Sequence, residues 1–573
     1  MYQIERFTIP ELVEKGSRRY AGRPALAMVG GSPIRYEALE PRSRTIATLL
    51  TLLGAKPGDR VALVSENRPE WGLAYFGISR AGCVAVPILT DFTAEQMGNI
   101  VEHSESRIIF CSRRYFPKLS GVTAGRVLLA VEDLGLLSAP EGVAPPSAEA
   151  LDHAAARFSP PRVEADDLAE IVYTSGTTGH SKGVMLTHRN IIHNAWACSI
   201  FVVLRRTDRV LSILPLAHTY EFTIGFIIPL MHGSALYYLD RPPSATALLP
   251  ALKAIRPTIM LTVPLVMEKI YRSSVKPALE KMSLYRHPFL RPLLHRLAGL
   301  KLMHTFGGRL RFYGIGGAPL APDVEDFLHS ARFPYSIGYG LTETAPLIAG
   351  NRPGHVVPHT TGLAASEVEI RIGDPNPETG EGEIQARGPN LTRGYYKDPD
   401  RTAELFTEDG WLRTGDLGVL DEAGRVTVRG RLKTMILGAS GENIYPEEVE
   451  ALLNSLPYVA ESLVYGDESG LTALVQLRPE VLQELGARVQ DSIEDAEDAA
   501  ARLGRSVSEA FEHAGESLEQ VERAAAQVLD AIKREANGRL AAFSRIGRVQ
   551  IQHEPFEKTP TQKIKRFLYP GKK

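Results

Sequence analysis

A mostly apolar run from Leu168 to Tyr173 passes into Thr174-Ser175-Gly176-Thr177-Thr178-Gly179-His180-Ser181-Lys182-Gly183, and the chain then turns apolar again. The loop so framed is rich in hydroxyls and glycines and carries one lysine. Glycines leave backbone N–H groups free to face a ligand, and the hydroxyls and the cation add donors, a set that suits a polyphosphate. It is not a Walker A loop, because that pattern needs Ser or Thr directly after the lysine and Gly183 stands there. A Ser/Thr/Gly linker has a similar composition, but linkers rarely place a single lysine after so ordered a pattern.

With 573 residues the chain can build several domains around a large core. Hydrophobic residues at 44% and charged residues at 23% are those of an ordinary globular protein. The formal net charge of −2 gives no support to a nucleic-acid partner. Cys83, Cys111 and Cys198 are scattered and odd in number, which points to a reducing, cytoplasmic setting without a disulfide framework or zinc site. The first residues lack a charged-then-apolar signal pattern. The longest apolar stretch, Phe222 to Leu239, is broken by Gly225, Pro229, His232 and Gly233 and reads as buried strand and helix rather than a membrane span.

From Arg23 to Val86, apolar runs alternate with helical patterns, as in α/β folds. Residues 139–167 read as a connecting loop, and a second α/β block runs from 168 to about 347. Short β-type runs with many glycines over 360–430 predict a small β subdomain. The expected architecture is α/β. A large N-terminal domain with its small β subdomain covers 1–430, and a smaller α+β C-terminal domain covers 434–573. The C-terminal domain carries a helical insertion at about 482–536, where Leu518, Val521, Ala525, Val528, Leu529 and Ile532 share a helical face.

Four further segments carry chemistry. Tyr335 to Ile337 is strand-like and gives way to Gly338-Tyr339-Gly340-Leu341-Thr342-Glu343-Thr344, which sets an aromatic, a hydroxyl and a carboxylate among glycines. Trp411-Leu412-Arg413-Thr414-Gly415-Asp416 follows, then Arg429-Gly430-Arg431-Leu432-Lys433 and the glycine loop Gly438-Ala439-Ser440-Gly441-Glu442 before an acid-led helix start. Lys558-Thr559-Pro560-Thr561-Gln562-Lys563 stands near the end, with Lys565, Arg566, Lys572 and Lys573 read as solvated surface.

In this order the segments resemble those of the adenylate-forming, or AMP-binding, superfamily, which activates carboxylic acids with ATP. The resemblance implies that Thr174 to Gly179 and Lys182 cradle the phosphates and that Gly338, Tyr339 and Gly340 hold the adenine, with Tyr339 stacked on it. It implies that Thr342 bonds the α-phosphate and that Glu343 ligates Mg²⁺, apt for a hard cation on phosphates. By the same resemblance Asp416 holds the ribose hydroxyls, Arg431 the ribose or phosphates, and Lys433 is the hinge of a domain rotation within 431–433. Gly441 and Glu442 belong to the loop that lines the coenzyme A tunnel, and Lys563 meets the substrate carboxylate and the α-phosphate. Gln562 stands where the family more often has Gly.

Glu66-Asn67-Arg68-Pro69-Glu70-Trp71, Val263-Pro264-Leu265-Val266-Met267-Glu268-Lys269-Ile270 and the long insertion 271–306 resemble long-chain fatty acyl-CoA synthetases in particular. Gly316, Gly317 and Ala318 would line the acyl and adenine pockets, and His218 would sit beside the substrate. Ala217-His218-Thr219 lacks the Asp that binds an amino group in amino-acid adenylation domains. The implied activity is AMP-forming ligation of a fatty acid to coenzyme A. The alternatives are an acyl-AMP ligase loading a carrier protein, an aryl-CoA ligase, or a catalytically silent acyl or nucleotide binder. Residues 281–301 mix cations with leucines and read as a packed insertion or as a surface for peripheral membrane contact. Oligomeric state is left open.

Overall fold

The computed structural model describes residues 4–174, 182–437, 443–467, 470–481, 526–558 and 564–569. The expected loops 175–181, 438–442 and 559–563, with Ser175 to Gly179, Gly441, Glu442 and Lys563, lie outside the described residues. Two units emerge, one of Met1–Thr414 with Gly418–Val428 and one of Gly415–Leu417 with Arg429–Lys573, so the division falls inside the strands Leu412–Leu420 and Val426–Arg431.

The first unit holds two large sheets. One runs Leu136–Ser138, Val127–Ala130, Ile108–Cys111, Arg60–Val64, Val84–Pro87, Leu168–Thr174, Lys182–Thr187, parallel except at its two edges. The other has nine strands, with Pro24–Met28, Ala235–Tyr238, Arg209–Ser212, Ile259–Thr262, Phe312–Ile315 and Tyr335–Gly340 forming its parallel centre. The inner strands Val84–Pro87, Ile108–Cys111, Ile259–Thr262 and Phe312–Ile315 are wholly buried, as continuous apolar strands covered on both faces must be. A four-stranded sheet, Glu369–Gly373, Gly382–Arg387, Leu412–Leu420 and Val426–Arg431, occupies the region expected to be a β subdomain.

The helix Pro69–Arg80 touches both large sheets. It starts where Pro69 supplies a preset φ at the first helical position, and every residue except Glu70 is buried. Its glycines set the spacing. A Cβ on Gly77 would lie 2.3 Å from Ile46 Cγ2, and one on Gly72 2.8 Å from Phe226 Cζ. Tyr75 donates to Glu170 Oε2 at 3.0 Å, a carboxyl that is 1% exposed in the strand Leu168–Thr174. Burial pushes the Glu170 pKa up to about 8.

One expectation here needs correction. Residues 139–167 are not loop throughout, because Ser147 caps the helix Ala148–Arg157, which buries Leu151 and Ala155. The insertion 271–306 carries no single long helix, as Pro288 and Pro292 imply. Short turns over 283–290 break it, and Pro292 then opens Arg291–Thr305. Among the described residues no helix is long and apolar enough to cross a membrane.

In the second unit Val459–Asp467, Gly470–Leu477 and Ile546–Ile551 form a three-stranded sheet. Val449 and Leu453 of the helix Pro446–Ser455 pack into its core, as do Ile532 and Ala536 of the helix 526–537. The second helix is the described end of the expected insertion. Arg566 is not a solvated surface residue. It pairs with Glu450 and donates to the Val464 carbonyl at 3.2 Å. Glu450 is half-buried and takes that counter-charge.

Glu170 holds its proton in the native state up to about pH 8 and loses it near 4.5 when exposed. Native stability therefore falls as pH rises through that window and levels off above it. Glu170→Gln should gain stability relative to the native chain by an amount that grows from pH 4.5 to 8. Urea midpoints across that range check this, and a pH-independent difference would count against it.

Candidate active site

Thr174, Gly316 and Gly338 to Thr342 lie at or just beyond the carboxyl ends of the strands Leu168–Thr174, Phe312–Ile315 and Tyr335–Gly340, where open α/β sheets take ligands. The strand Tyr335–Gly340 turns back antiparallel into Leu347–Gly350, with Tyr339 opposite Ala349. A Cβ on Gly340 would lie 1.9 Å from the Pro346 carbonyl oxygen, so only glycine fits there. Thr342–Thr344 forms one 3₁₀ turn, in which Thr344 Oγ1 accepts the Leu341 N–H at 3.0 Å. Three side chains tie the following residues down. Thr223 donates to the Ala345 carbonyl at 2.9 Å, Asn390 to that of Thr344 at 2.8 Å, and Asn194 to that of Leu347 at 2.7 Å.

This turn brings Glu343, like Lys182, to Tyr395. Thr174 and Lys182 pair as the last and first residues of antiparallel strands, which sets the base of the expected phosphate loop. The strand beginning at Lys182 also receives residues 392–396 along its other edge, through Met185 N–H to Gly394 O at 3.0 Å and Tyr396 N–H to Gly183 O at 2.8 Å. Tyr395 thereby lies between the two charges. Its hydroxyl donates to Glu343 Oε1 at 2.8 Å. Lys182 Nζ is 4.8 Å from its ring centroid, within cation–π reach. Burial, followed by the Glu343 carboxylate, raises the Tyr395 pKa and keeps the phenol a donor. Nothing in the Gly394-Tyr395-Tyr396 text singles this tyrosine out; it is found by strand pairing alone.

Glu343 Oε2 has no hydrogen-bond partner among the described residues, and these contain no group of three or more His, Cys, Asp or Glu arranged to hold a metal. A hard cation here would rest on one carboxylate, with phosphate and water oxygens filling its shell, and that donor set fits Mg²⁺.

His218 leads into the π-helical turn Tyr220–Ile227. Its Nδ1 accepts the Tyr220 N–H at 3.2 Å. That bond puts the proton of the neutral ring on Nε2. Behind it, Glu221 is buried at 1% exposure with Oε2 unpartnered among the described residues. Burial raises its pKa to about 8 against a hydrogen bond from Ser212.

Asn67, expected only as part of a chain-length signature, holds this region in place. It donates to the Leu214 carbonyl at 2.6 Å and to Ser212 Oγ at 3.1 Å, and accepts the Leu216 N–H at 2.8 Å. The Tyr220 ring covers the glycine turn, since a Cβ on Gly316 would lie 3.2 Å from Tyr220 Cζ, and Gly317 has φ +89°, a conformation that favours glycine. Ala318 follows it, exposed. An apolar crevice of about 20 Å³ runs between Tyr220, Ile224, Phe201, Leu347 and the backbones of Gly314 and Gly338.

In the second unit Asp416, 3% exposed, pairs with Arg431 Nε at 2.7 Å, and Lys433 is exposed. Trp411 has a structural place, with the Arg371 and Arg387 guanidinium carbons 4.5 and 4.6 Å from its ring centroid.

The sequence profile described as AMP-binding enzyme matches residues 13–396. Long chain acyl-CoA synthetase 6, peroxisomal, of Arabidopsis thaliana is 33% identical, covering 76% of this chain and 67% of its own. Long-chain-fatty-acid--CoA ligase FadD15 of Mycobacterium bovis is 29% identical over 91% of this chain and 88% of its own. A benzoate CoA ligase from Burkholderia xenovorans superposes with a TM-score of 0.73 over 99% of both chains at 22% identity, a likeness of fold.

Asn67→Leu leaves the Leu214 carbonyl and Leu216 N–H without their partner. Each unsatisfied buried group costs about 1–3 kcal/mol, so the unfolding free energy should drop by about 2 kcal/mol or more. Denaturant titration reads this, and an unchanged midpoint would mean that the clamp bears no load.

Proposed function

The chain belongs to the AMP-binding enzyme family, and from that premise we propose that it joins a long-chain fatty acid to coenzyme A, cleaving ATP to AMP and pyrophosphate through an acyl-adenylate. The observation that carries this reading is the meeting of Lys182 and Glu343 across Tyr395 at the base of the phosphate loop. A cation and a carboxylate held against the ring and the hydroxyl of one tyrosine suit a triphosphate and its metal.

In the first half-reaction a carboxylate oxygen of the fatty acid attacks the α-phosphorus, and the bond to the β-phosphate oxygen breaks. Lys182 offsets charge on the departing pyrophosphate. Thr342 holds the α-phosphate, Tyr339 stacks on adenine between Gly338 and Gly340, and Asp416 and Arg431 hold the ribose. Mg²⁺, held by Glu343, would neutralise phosphate charge. Lys563 binds the substrate carboxylate and the α-phosphate. In the second half-reaction the coenzyme A sulfur attacks the acyl carbonyl carbon and AMP leaves. Two nucleophiles must reach one site in turn, so the segment beyond Lys433 rotates, withdrawing Lys563 and bringing Gly441 and Glu442 towards the thiol.

The acyl chain enters past His218, Gly316 and Gly317 to the crevice beside Tyr220. With a volume of about 20 Å³ the crevice cannot hold such a chain as it stands. A site must enclose most of its ligand, so Tyr220 and Ile224 move aside when the chain binds. We place the protein in the cytoplasm with peripheral contact to a lipid surface, the phase in which its substrate dissolves.

Product analysis with acetate, octanoate, palmitate, oleate, benzoate and amino acids, with and without coenzyme A, tests the reading. Acyl-CoA should form best from palmitate and oleate. AMP without thioester would move the acceptor to a carrier protein, a preference for benzoate would make the chain an aryl-CoA ligase, and no AMP from any acid would leave a silent binder. Lys563→Ala should lose adenylation while still converting supplied acyl-AMP to thioester, and equal loss of both steps would overturn that residue's role. Tyr395→Phe should weaken Mn²⁺ binding with ATP by about tenfold with folding unchanged. Magnetic-resonance titration of bound Mn²⁺ reads this directly, and wild-type affinity would remove Tyr395 from the site.

A further inference from the structure

The insertion beyond Glu280 carries a run of bare apolar side chains. Phe289 is 77% exposed, Leu300 67%, Leu293 and Leu297 55% each, and Leu284 53%. Leu293, Leu297 and Leu300 follow a helical repeat on Arg291–Thr305 and form one stripe, while Leu294, Gly299 and Leu302 are buried on the other side. The buried side is anchored. A Cβ on Gly299 would lie 2.8 Å from the Ala331 carbonyl oxygen, and the His295 and Phe327 rings stand 5.4 Å apart. Tyr285 bonds His295 Nε2 at 3.0 Å, and Arg291 donates to the Tyr285 carbonyl at 3.1 Å, which folds the 283–290 turns onto the same helix. The stripe therefore faces outward because its back is packed.

The charge of this face has one sign. No Asp or Glu occurs between Glu280 and Asp323, whereas Lys281, Arg286, Arg291, Arg296 and Lys301 are interleaved with the apolar residues and exposed. Two copies of such a face would repel each other, and a nucleic acid would leave the leucine stripe unsatisfied. A sheet of phosphates over an apolar layer matches both properties at once.

We propose that the face built from residues 281–301 docks on an anionic lipid bilayer, with Phe289, Leu293, Leu297 and Leu300 in the headgroup–acyl boundary and Arg286, Arg296 and Lys301 at lipid phosphates. The proposal rests on the reading of the substrate as a lipid acid and gives that reading a surface and a lipid charge.

The test uses the full chain with phosphatidylcholine vesicles and with vesicles that also contain phosphatidylglycerol. The protein should sediment with the anionic vesicles, less so with the neutral ones, and less as salt rises. Phe289→Trp should show a blue-shifted emission on anionic vesicles. The triple variant Arg286→Glu, Arg296→Glu, Lys301→Glu should bind these vesicles roughly a hundredfold more weakly, with unchanged melting and unchanged turnover of albumin-delivered palmitate. The proposal falls if the wild-type chain binds no vesicle, if the triple variant binds as well as wild type, or if the chain self-associates through this face in solution. Turnover of albumin-borne palmitate without vesicle binding removes the surface and keeps the activity. Patch-dependent binding without turnover of any acid keeps the surface and removes the activity.

Discussion

The burial of the helix Pro69–Arg80 against both large sheets is the constraint from which the rest of the first unit follows. A helix with no solvated face must be thin, and Gly72 and Gly77 let Phe226 and Ile46 come within reach of its backbone. It must also settle its charges inside, so Arg80, 1% exposed, takes Glu14 at 3.3 Å and Glu40 at 3.2 Å. Its entry loop carries Asn67 across to the end of the strand Arg209–Ser212. The segment with His218 and Tyr220 thus takes its position from the core rather than from its own loop.

From there a chain of hydrogen bonds leads to the charged centre. Tyr220 begins a π-helical turn whose Thr223 holds Ala345, and Ala345 follows the turn that presents Glu343. Tyr395, seated by pairing to the strand of Lys182, closes the set from the other side. The crevice beside Tyr220, the Glu343 carboxylate and the Lys182 cation come from separate stretches of sequence, and backbone pairing together with a few amide and hydroxyl side chains links them.

Much of this was legible in the residues. The apolar run Leu168 to Tyr173 is a buried strand, the acid-led start after Tyr445 is the helix Pro446–Ser455, and Gly340 is forced by contact with Pro346. What escaped was long-range. Tyr395 has no local pattern and acquires its role only when residues 392–396 pair with the strand of Lys182, far away in the sequence. Arg566 looks like a tail charge until its pairing with the half-buried Glu450 is seen. The helix Ala148–Arg157 was hidden because proline-rich flanks dominate the composition of its surroundings. For the insertion, the mixture of cations and leucines was legible, but not which side of the helix Arg291–Thr305 the core would take.

The two buried carboxyls, Glu170 and Glu221, alter the molecule seen from a distance. The formal net charge of −2 counts both as ionised, and burial, by favouring their neutral forms, moves the folded chain towards electrical neutrality. A particle without net charge is steered by its higher moments, so a local concentration of one sign governs how it turns as it nears another body. The acid-free stretch between Glu280 and Asp323 is such a concentration. With so little net charge on the whole chain, a few arginines on the outside weigh heavily in which way the protein faces.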